Sequence, residues 1–133
     1  SGAIKQLMDS TEWGDLDYLF IDMPPGTGDA YLTVAKDLKP DSAILVTTKS
    51  PLAVQDTLKS KILFQKLNIP ILGYINNMVS SSSSGGGTEG DITNILGLDL
   101  LGSIPMDDDV ANFNLIGSAK LFESTYNNLK III

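Results

Sequence analysis

One short stretch of this chain combines residue types that suit a metal ion and a phosphate group. Residues Tyr18 to Ile21 are aromatic or apolar without interruption, a pattern typical of a strand covered on both faces of an α/β sheet. Asp22 follows at the predicted carboxyl end of this strand, where open α/β sheets bind their ligands. Gly26 and Gly28 then permit backbone conformations that a side chain would prevent. A carboxylate followed by accessible backbone N–H groups suits a hydrated metal ion and a terminal phosphate.

A simpler interpretation of the same residues is a strand-to-helix turn in which Asp29 caps the helix. For a single aspartate after a strand, this simpler interpretation is the better one. The whole string is more specific, because Pro24 and Pro25 stiffen the turn between the carboxylate and the two glycines. The string therefore favours a ligand-binding loop.

The composition excludes several kinds of chemistry. The 133 residues contain no cysteine and no histidine, and all nine basic residues are lysine. Disulfides, thiolate nucleophiles, histidine-based triads and Cys/His metal sites are therefore excluded, as is an arginine finger from these residues. Carboxylates, lysines, hydroxyls and backbone amides remain.

The charge and hydropathy point to an acidic α/β domain. A net charge of −7 and a pI near 4.3 disfavour nucleic-acid binding, which needs a basic face. No apolar run approaches the roughly 20 residues of a membrane span, and no signal peptide is visible, so a cytoplasmic location and no membrane partner are expected. The length predicts a single domain over residues 1–133.

Strand and helix patterns alternate four times, which predicts a parallel sheet with helices on both faces. The predicted strands are Tyr18–Asp22, Ala43–Thr47, Ile71–Ile75 and Leu100–Ile104. A helix is expected from about Ala30 to Leu38, and Ser50-Pro51 is a typical helix start. The buried stripe of that second helix is predicted to be Leu58, Ile62, Leu63 and Leu67.

Further helices are predicted at both ends and around a low-complexity segment. Helical spacing predicts a short helix before the first strand, with the apolar residues Ile4, Leu7 and Met8. A second short helix is closed by Gly97 and has the apolar residues Ile92, Ile95 and Leu96. A short helix is also predicted near Val110 and Phe113, followed by a last helix whose apolar stripe is Phe122, Tyr126 and Leu129. The serine and glycine run Ser80–Gly87 is predicted to be a mobile loop. It does not qualify as a phosphate loop, because no Lys-Ser/Thr follows it.

The string Asp22-Met23-Pro24-Pro25-Gly26-Thr27-Gly28-Asp29 resembles the extended Walker B and switch II segment of Mrp/ApbC-type P-loop ATPases. These are relatives of MinD and ParA that act as iron–sulfur cluster carriers. The resemblance extends over nearly the whole chain; the other similar segments are residues 3–7, 13–18, 46–48, 73–78 and 101–107. It implies part of a MinD-like P-loop NTPase fold, namely the C-terminal portion of an Mrp-like nucleotide-binding domain. It also implies binding of ATP with Mg²⁺ and a role in iron–sulfur cluster assembly or carriage.

The resemblance also implies roles for individual residues. Asp22 corresponds to the Walker B aspartate, which acts on Mg²⁺, usually through water. Gly26, Thr27 and Gly28 correspond to switch II positions near the γ-phosphate. On the base side, Asn77 corresponds to the asparagine that hydrogen-bonds adenine, and the residues that line the base correspond to Ile104, Pro105 and Asp107. Without the resemblance, Asn77 would be read as a turn residue at a strand end.

Two family features are missing from these 133 residues. The phosphate loop Gly-Lys-Gly-Gly-Val-Gly-Lys-Ser/Thr does not occur, so we expect no ATP hydrolysis by this chain alone. The Cys-x-x-Cys pair that holds a bridging cluster is replaced by the region Ser80–Gly87, so no iron–sulfur ligands are expected.

The resemblance places the missing phosphate-loop strand between the strands at residues 18–22 and 43–47. Either these two strands close up, another chain inserts, or the other half of the site lies elsewhere. We therefore expect a homo-oligomer or a partner that carries the phosphate-loop segment. Two functions are considered: the C-terminal half of an Mrp-type ATPase, and a catalytically inactive paralogue that serves as an interaction or scaffold module.

Overall fold

The computed structural model describes residues 2–24, 26, 28–80, 89–108 and 115–132. These residues form five helices and three strands. In chain order they are α1 (Gly2–Ser10), α2 (Asp29–Leu38), β1 (Ala43–Thr47), α3 (Pro51–Lys66), β2 (Ile71–Val79), α4 (Glu89–Leu96), β3 (Leu100–Pro105) and α5 (Leu115–Ile132). The helix predicted around Val110 and Phe113 lies outside the described residues, as do residues 81–87 of the predicted loop Ser80–Gly87.

The three strands form one parallel sheet in the order β1-β2-β3. Leu45 on β1 is in register with Tyr74 on β2, and Tyr74 is in turn in register with Leu100 on β3. Each parallel pairing requires a crossover, and α3 and α4 supply the two crossovers. The predicted parallel α/β fold is therefore confirmed.

The core lies where α2, α3 and α4 meet the sheet. Tyr74 on the central strand and Leu96 on α4 are completely buried, and the Tyr31 and Phe64 rings pack at 5.6 Å between centroids. The Tyr74 hydroxyl satisfies its hydrogen-bonding need inside this core, because it lies 2.8 Å from Oγ1 of Thr93 on α4. Burial also raises the pKa of the Tyr31 hydroxyl, an effect that its hydrogen bond to Ser60 partly offsets.

The helix α5 covers β3. Gly102 leaves the space into which Thr125 packs, since a Cβ at Gly102 would lie 2.7 Å from the Thr125 Cβ. The Asn128 side-chain amide donates a hydrogen bond of 2.6 Å to the Leu101 backbone carbonyl. One side chain of α5 thus binds a peptide group of β3 directly.

Four residues on the predicted apolar stripes of the helices are exposed, namely Leu7, Ile62, Ile95 and Tyr126. For Ile62, which was predicted to be buried, the prediction is wrong. The other predicted positions of α3 and α4 are confirmed, because they pack against the core or are buried in it: Leu58, Leu63, Leu67, Ile92 and Leu96. Phe64 on α3 and Thr125 on α5 are buried in addition, since what packs against a helix decides its buried face.

The first predicted strand is also wrong. Residues 17–22 form no strand, so the sheet has three strands rather than four. Tyr18 is 55% exposed and Phe20 is 74% exposed, although both were expected to be buried. An apolar stretch becomes a strand only where a neighbouring strand pairs with its backbone, and the structure describes no such neighbour here. The possibility that this segment closes up against β1 is contradicted as well, because β1 pairs only with β2 among the described strands.

No helix in the described part of the chain is long and apolar enough to cross a membrane.

Candidate functional site

The residues predicted to contact the metal ion and the phosphate lie on the segment from residue 22 to the start of α2. Asp22 is exposed, and the neighbouring Met23 packs against the core and so fixes this end of the segment. Gly26 has a φ of +83°, a left-handed conformation that favours glycine. Thr27, assigned to the same group from the sequence, lies outside the described residues.

Gly28 is the N-cap of α2. Its backbone is extended, with φ −74° and ψ −175°, and its carbonyl accepts a hydrogen bond of 3.1 Å from the Leu32 N–H. No side chain caps this helix end, so its first backbone N–H groups remain accessible to an anion, which the helix dipole also favours. Asp29 is the first helical residue rather than the cap, and the simpler interpretation of Asp29 as N-cap is therefore wrong.

Asn77 lies on an irregular part of β2 near its carboxyl end. The pairing with β3 shifts register between Asn76 and Val79, and Met78 has a φ of +55°. The side-chain oxygen of Asn77 accepts a hydrogen bond of 2.9 Å from the Met78 N–H. This bulge places the half-buried Asn77 amide at the end of the sheet where ligands of α/β folds bind.

The residues predicted to line a base lie on the adjacent strand. Ile104 and Pro105 end β3 and are half-buried, and Pro105 is in register with Val79 on β2. The Met106 N–H donates a hydrogen bond of 3.0 Å to the Val79 carbonyl, which holds the chain beside β2 as it leaves the sheet. Asp107 follows and is half-buried.

The structure thus brings the predicted residues together in two groups. Asn77, Ile104 and Pro105 share the carboxyl ends of two paired strands. Asp22, Gly26 and Gly28 lie on a segment that joins no strand in the described part of the chain. The residues predicted to contact the base are therefore built into the sheet, whereas those predicted to contact the metal ion and phosphate lie on the segment before α2.

The sequence interpretation missed two buried polar residues at the same end of the sheet. Thr47 and Asn76 are in register on β1 and β2, and both are almost fully buried. The available signal was a polar residue at the end of the predicted strand Ala43–Thr47 and another directly after the predicted strand Ile71–Ile75. They extend the polar lining of this edge from β2 towards β1.

The donor set at Asp22 suits Mg²⁺ only in combination with a ligand. The described residues contain no cluster of three or more His, Cys, Asp or Glu side chains that could hold a metal ion. Carboxylate oxygen is nonetheless the right ligand type, and Mg²⁺ commonly binds through one or two carboxylates, waters and the phosphates of a substrate. Asp22 therefore fits a shared metal site rather than one formed by protein alone.

Solved structures with the same fold are MinD proteins. The cell division ATPase MinD of Pyrococcus furiosus superposes with a TM-score of 0.77, covering 99% of this chain and 57% of that one at 24% identity. The septum site-determining protein MinD of Pyrococcus horikoshii, solved as a complex with Mg-ADP, has a TM-score of 0.69 and 26% identity over 86% of this chain and 45% of that one. The chain therefore has part of the fold of a MinD-like P-loop NTPase.

The family follows from the sequence match. The model described as ParA, NUBPL iron-transfer P-loop NTPase, matches residues 1–130, and this chain belongs to that family. The iron-sulfur cluster carrier protein of Aquifex aeolicus is 40% identical over 118 residues, which are 82% of this chain and 32% of that protein. The chain spans about a third to two fifths of the length of such relatives. The family resemblance inferred from the sequence is confirmed.

Proposed function

We propose that this chain supplies the metal, switch and base portions of an Mg-ATP site in a protein of iron–sulfur cluster transfer. The observation that carries the proposal is the family match over residues 1–130, which includes every residue of the two groups at the carboxyl end of the sheet. The Mg-ADP complex of the P. horikoshii MinD supports the choice of ligand.

Each group has a distinct task in this proposal. Asp22 would hold Mg²⁺ through water, and the backbone N–H groups of Gly26, Thr27 and Gly28 would face the terminal phosphate. Mg²⁺, when bound, neutralises charge on the phosphate oxygens. The N-terminus of α2 adds its dipole to the attraction for phosphate.

The base would lie across the ends of β2 and β3. The Asn77 amide carries both a donor and an acceptor, which suits the edge of adenine. Ile104 and Pro105 offer apolar surface to the ring, and Asp107 lies beside them. The Asn77 oxygen already accepts a hydrogen bond from the Met78 N–H, so the amide orientation is fixed before any ligand arrives.

The phosphate loop must come from outside these 133 residues in this proposal. Its lysine and backbone amides supply much of the phosphate binding and the charge stabilisation of hydrolysis. We therefore expect weak Mg-ATP binding and no hydrolysis by this chain alone, and full activity only with a partner or segment that carries the loop. Such a partner would be expected to carry the cluster ligands too, because this chain has no cysteine or histidine.

A second function, an interaction or scaffold module without nucleotide, is favoured by a different observation. The exposed aromatic residues Tyr18 and Phe20 offer an apolar surface to another protein. Nucleotide binding separates the two functions, because only the first requires Mg-ATP to bind at the predicted site residues.

Residue-resolved NMR tests the proposal, because it detects nucleotide binding with millimolar dissociation constants. Adding Mg-ATP to the full chain should shift the backbone amides of Gly26, Gly28 and Asn77, with a dissociation constant of about 1 mM or weaker. Mg²⁺ alone and ATP without Mg²⁺ should each shift fewer of these signals.

Matched variants sharpen the test. Asn77→Ala and Asp22→Asn should weaken the shifts, whereas Asn94→Ala and Asp37→Asn, at exposed positions of α4 and α2, should leave them unchanged. Equal effects of the two sets, or no Mg-ATP shifts at the three amides, would contradict the nucleotide function and leave the scaffold function in place.

A further inference from the structure

The outer face of α3 carries a shallow groove of about 220 Å³, called the α3 groove below. Its lining residues Lys59, Ile62, Leu63 and Lys66 follow the spacing of neighbours on one side of a helix. Leu63 packs against the core at the floor of the groove, whereas Ile62 is 45% exposed. The α3 groove is therefore an apolar strip with an exposed lysine at each end.

The α3 groove belongs to the layer of helices and not to an edge of the sheet. The Phe64 ring packs against the Tyr31 ring of α2, and the Lys61 amine binds the Leu96 carbonyl of α4. Phe64 also lies in the core that α3 forms with the sheet. These contacts use other residues of α3, so the exposure of Ile62 is a property of the outer face of the helix layer.

The helix α3 is basic although the protein is acidic. Its 16 residues contain three of the nine lysines and a single carboxylate, Asp56, whereas the net charge of the chain is −7. Lys61 binds α4, which leaves Lys59 and Lys66 to face a partner. Lys66 forms no ion pair with any residue that the structure describes, and Lys59 bonds Asp56 at 2.8 Å. That exposed pair contributes little and uses one of the three donors of the amine.

Volume and charge together select the class of ligand. About 220 Å³ is less than the roughly 300–1,000 Å³ of a small-molecule site, so the α3 groove suits one or two side chains of a protein. Nucleic acids and anionic membranes are bound by larger basic clusters, about 4–8 lysines or arginines for a membrane, and the net charge of −7 repels both. Carboxylates of a partner protein remain as the complementary groups.

We propose that the α3 groove binds an acidic amphipathic helix of another protein. Lys59 and Lys66 are seven residues apart, roughly 10.5 Å along the helix, so two carboxylates with the same separation on the partner reach both. An apolar side chain between these carboxylates packs on Ile62 and Leu63, as in other helix-in-groove complexes. Asp56 precedes Lys59 by one turn and repels a further carboxylate there, which restricts how the partner can bind.

The α3 groove contains none of the residues assigned to metal, phosphate or base, so the inference goes beyond the proposed function and does not depend on nucleotide. Failure of one leaves the other untouched.

A designed helical peptide is the probe. It carries two glutamates seven residues apart, with leucines three and four positions after the first glutamate. Added to the full chain, it should shift the NMR signals of the Ile62, Leu63 and Lys66 amides, with a dissociation constant of about 0.1–1 mM. The same peptide with lysine in place of both glutamates should bind at least about tenfold more weakly, because two attractive pairs become repulsive.

Variants with matched controls locate the binding site. Ile62→Ala should weaken binding of the acidic peptide about tenfold through lost apolar contact, and Lys66→Gln about threefold through a lost ion pair. Leu52→Ala is the control for the first, since Leu52 is 74% exposed on the same helix but lies outside the α3 groove. Lys36→Gln, at an exposed position of α2, is the control for the second. Both controls should leave the affinity unchanged.

Three results would overturn the proposal. The first is a lack of shifts at the α3 groove with the acidic peptide, or equal binding of the lysine peptide. The second is binding to vesicles with about 20% phosphatidylserine, weakened by Lys66→Gln, in place of peptide binding, which would assign the lysines to a membrane surface. The third is a dimer in sedimentation velocity that Ile62→Ala abolishes, which would assign the α3 groove to a second copy of this chain.

Discussion

The Lys61 amine on α3 donates a hydrogen bond to the backbone carbonyl of Leu96, the last residue of α4, at 2.5 Å. The carbonyls at a helix end have no partner within the helix, and a cation there also complements the helix dipole. Gly97 follows with a φ of +56° and donates its N–H to the Thr93 carbonyl at 2.7 Å, closing the helix as the sequence predicted. Lys61 thus adds a polar contact between the two crossover helices, which also meet in the core.

Replacing Lys61 should therefore destabilise the fold. We expect Lys61→Met to lower the free energy of unfolding by about 1 kcal/mol, since the Leu96 carbonyl loses a charged donor. Lys59→Met is the control, because Lys59 forms an exposed ion pair with Asp56 at 2.8 Å, and exposed ion pairs contribute little. Urea denaturation of the three proteins measures the difference, and equal losses in both variants would contradict a capping role.

A side chain at residue 102 should separate α5 from the sheet. In Gly102→Ala the new Cβ would overlap Thr125, whose Cβ and Cγ2 would lie only 2.7 and 2.9 Å away. We expect a loss of about 1–3 kcal/mol in the free energy of unfolding. Gly2→Ala should cost nothing, because a Cβ at Gly2 meets no atom within 4 Å. Thermal unfolding monitored by circular dichroism measures both effects. Equal stability of the two variants would contradict the close packing of Gly102 against Thr125.

The Tyr31 hydroxyl should make stability fall in alkaline solution. Burial raises its pKa above the ordinary value of 10.0, so above that pH the folded state holds this proton more tightly than the unfolded state does. Its contribution is fully present below pH 10.0 and is lost as the pH rises through the raised pKa.

Tyr31→Phe should reduce this loss, and the exposed Tyr126→Phe should not. The measurement is the free energy of unfolding of each protein at pH 8 and pH 11. If Tyr31→Phe and the parent chain lose the same free energy of unfolding between pH 8 and pH 11, the loss does not come from the Tyr31 hydroxyl.

Anaerobic reconstitution with iron and sulfide should leave this chain without a cluster. Iron–sulfur clusters require soft thiolate or imidazole ligands, and the 133 residues contain neither cysteine nor histidine. The absorbance of the desalted protein and its iron content provide the measurement. Stoichiometric iron with a stable cluster spectrum would refute the prediction.

The sequence correctly predicted the features that depend on neighbouring residues in the chain. The strand Ala43–Thr47, the helix start at Ser50-Pro51 and the helix end at Gly97 all agree with the structure. These features depend on local rules, namely an apolar run between turns, proline at the first helical position and glycine in a left-handed conformation.

Predictions that depended on a distant partner were less successful. Residues 18–21 are as apolar as β1, but whether such a run pairs as a strand depends on a neighbour that its own sequence does not specify. The residues predicted to contact the base are brought together because β2 and β3 pair; the sequence predicted a parallel sheet but not which of its strands are neighbours. The bulge that places Asn77 was not predicted, because a register shift is a property of two strands rather than of one.

The order of the strands in the sheet, which equals their order in the chain, has a consequence for how the molecule opens. All pairing in the described sheet lies within residues 43–105, so the hydrogen bonds of the sheet do not involve α1 or the segment before α2. In native-state hydrogen exchange, the amides of Tyr74 and Ile75 on the central strand should exchange only with global unfolding, and those of residues 17–22 almost at once. Local opening would then free the phosphate side of the proposed site while its base side stays folded.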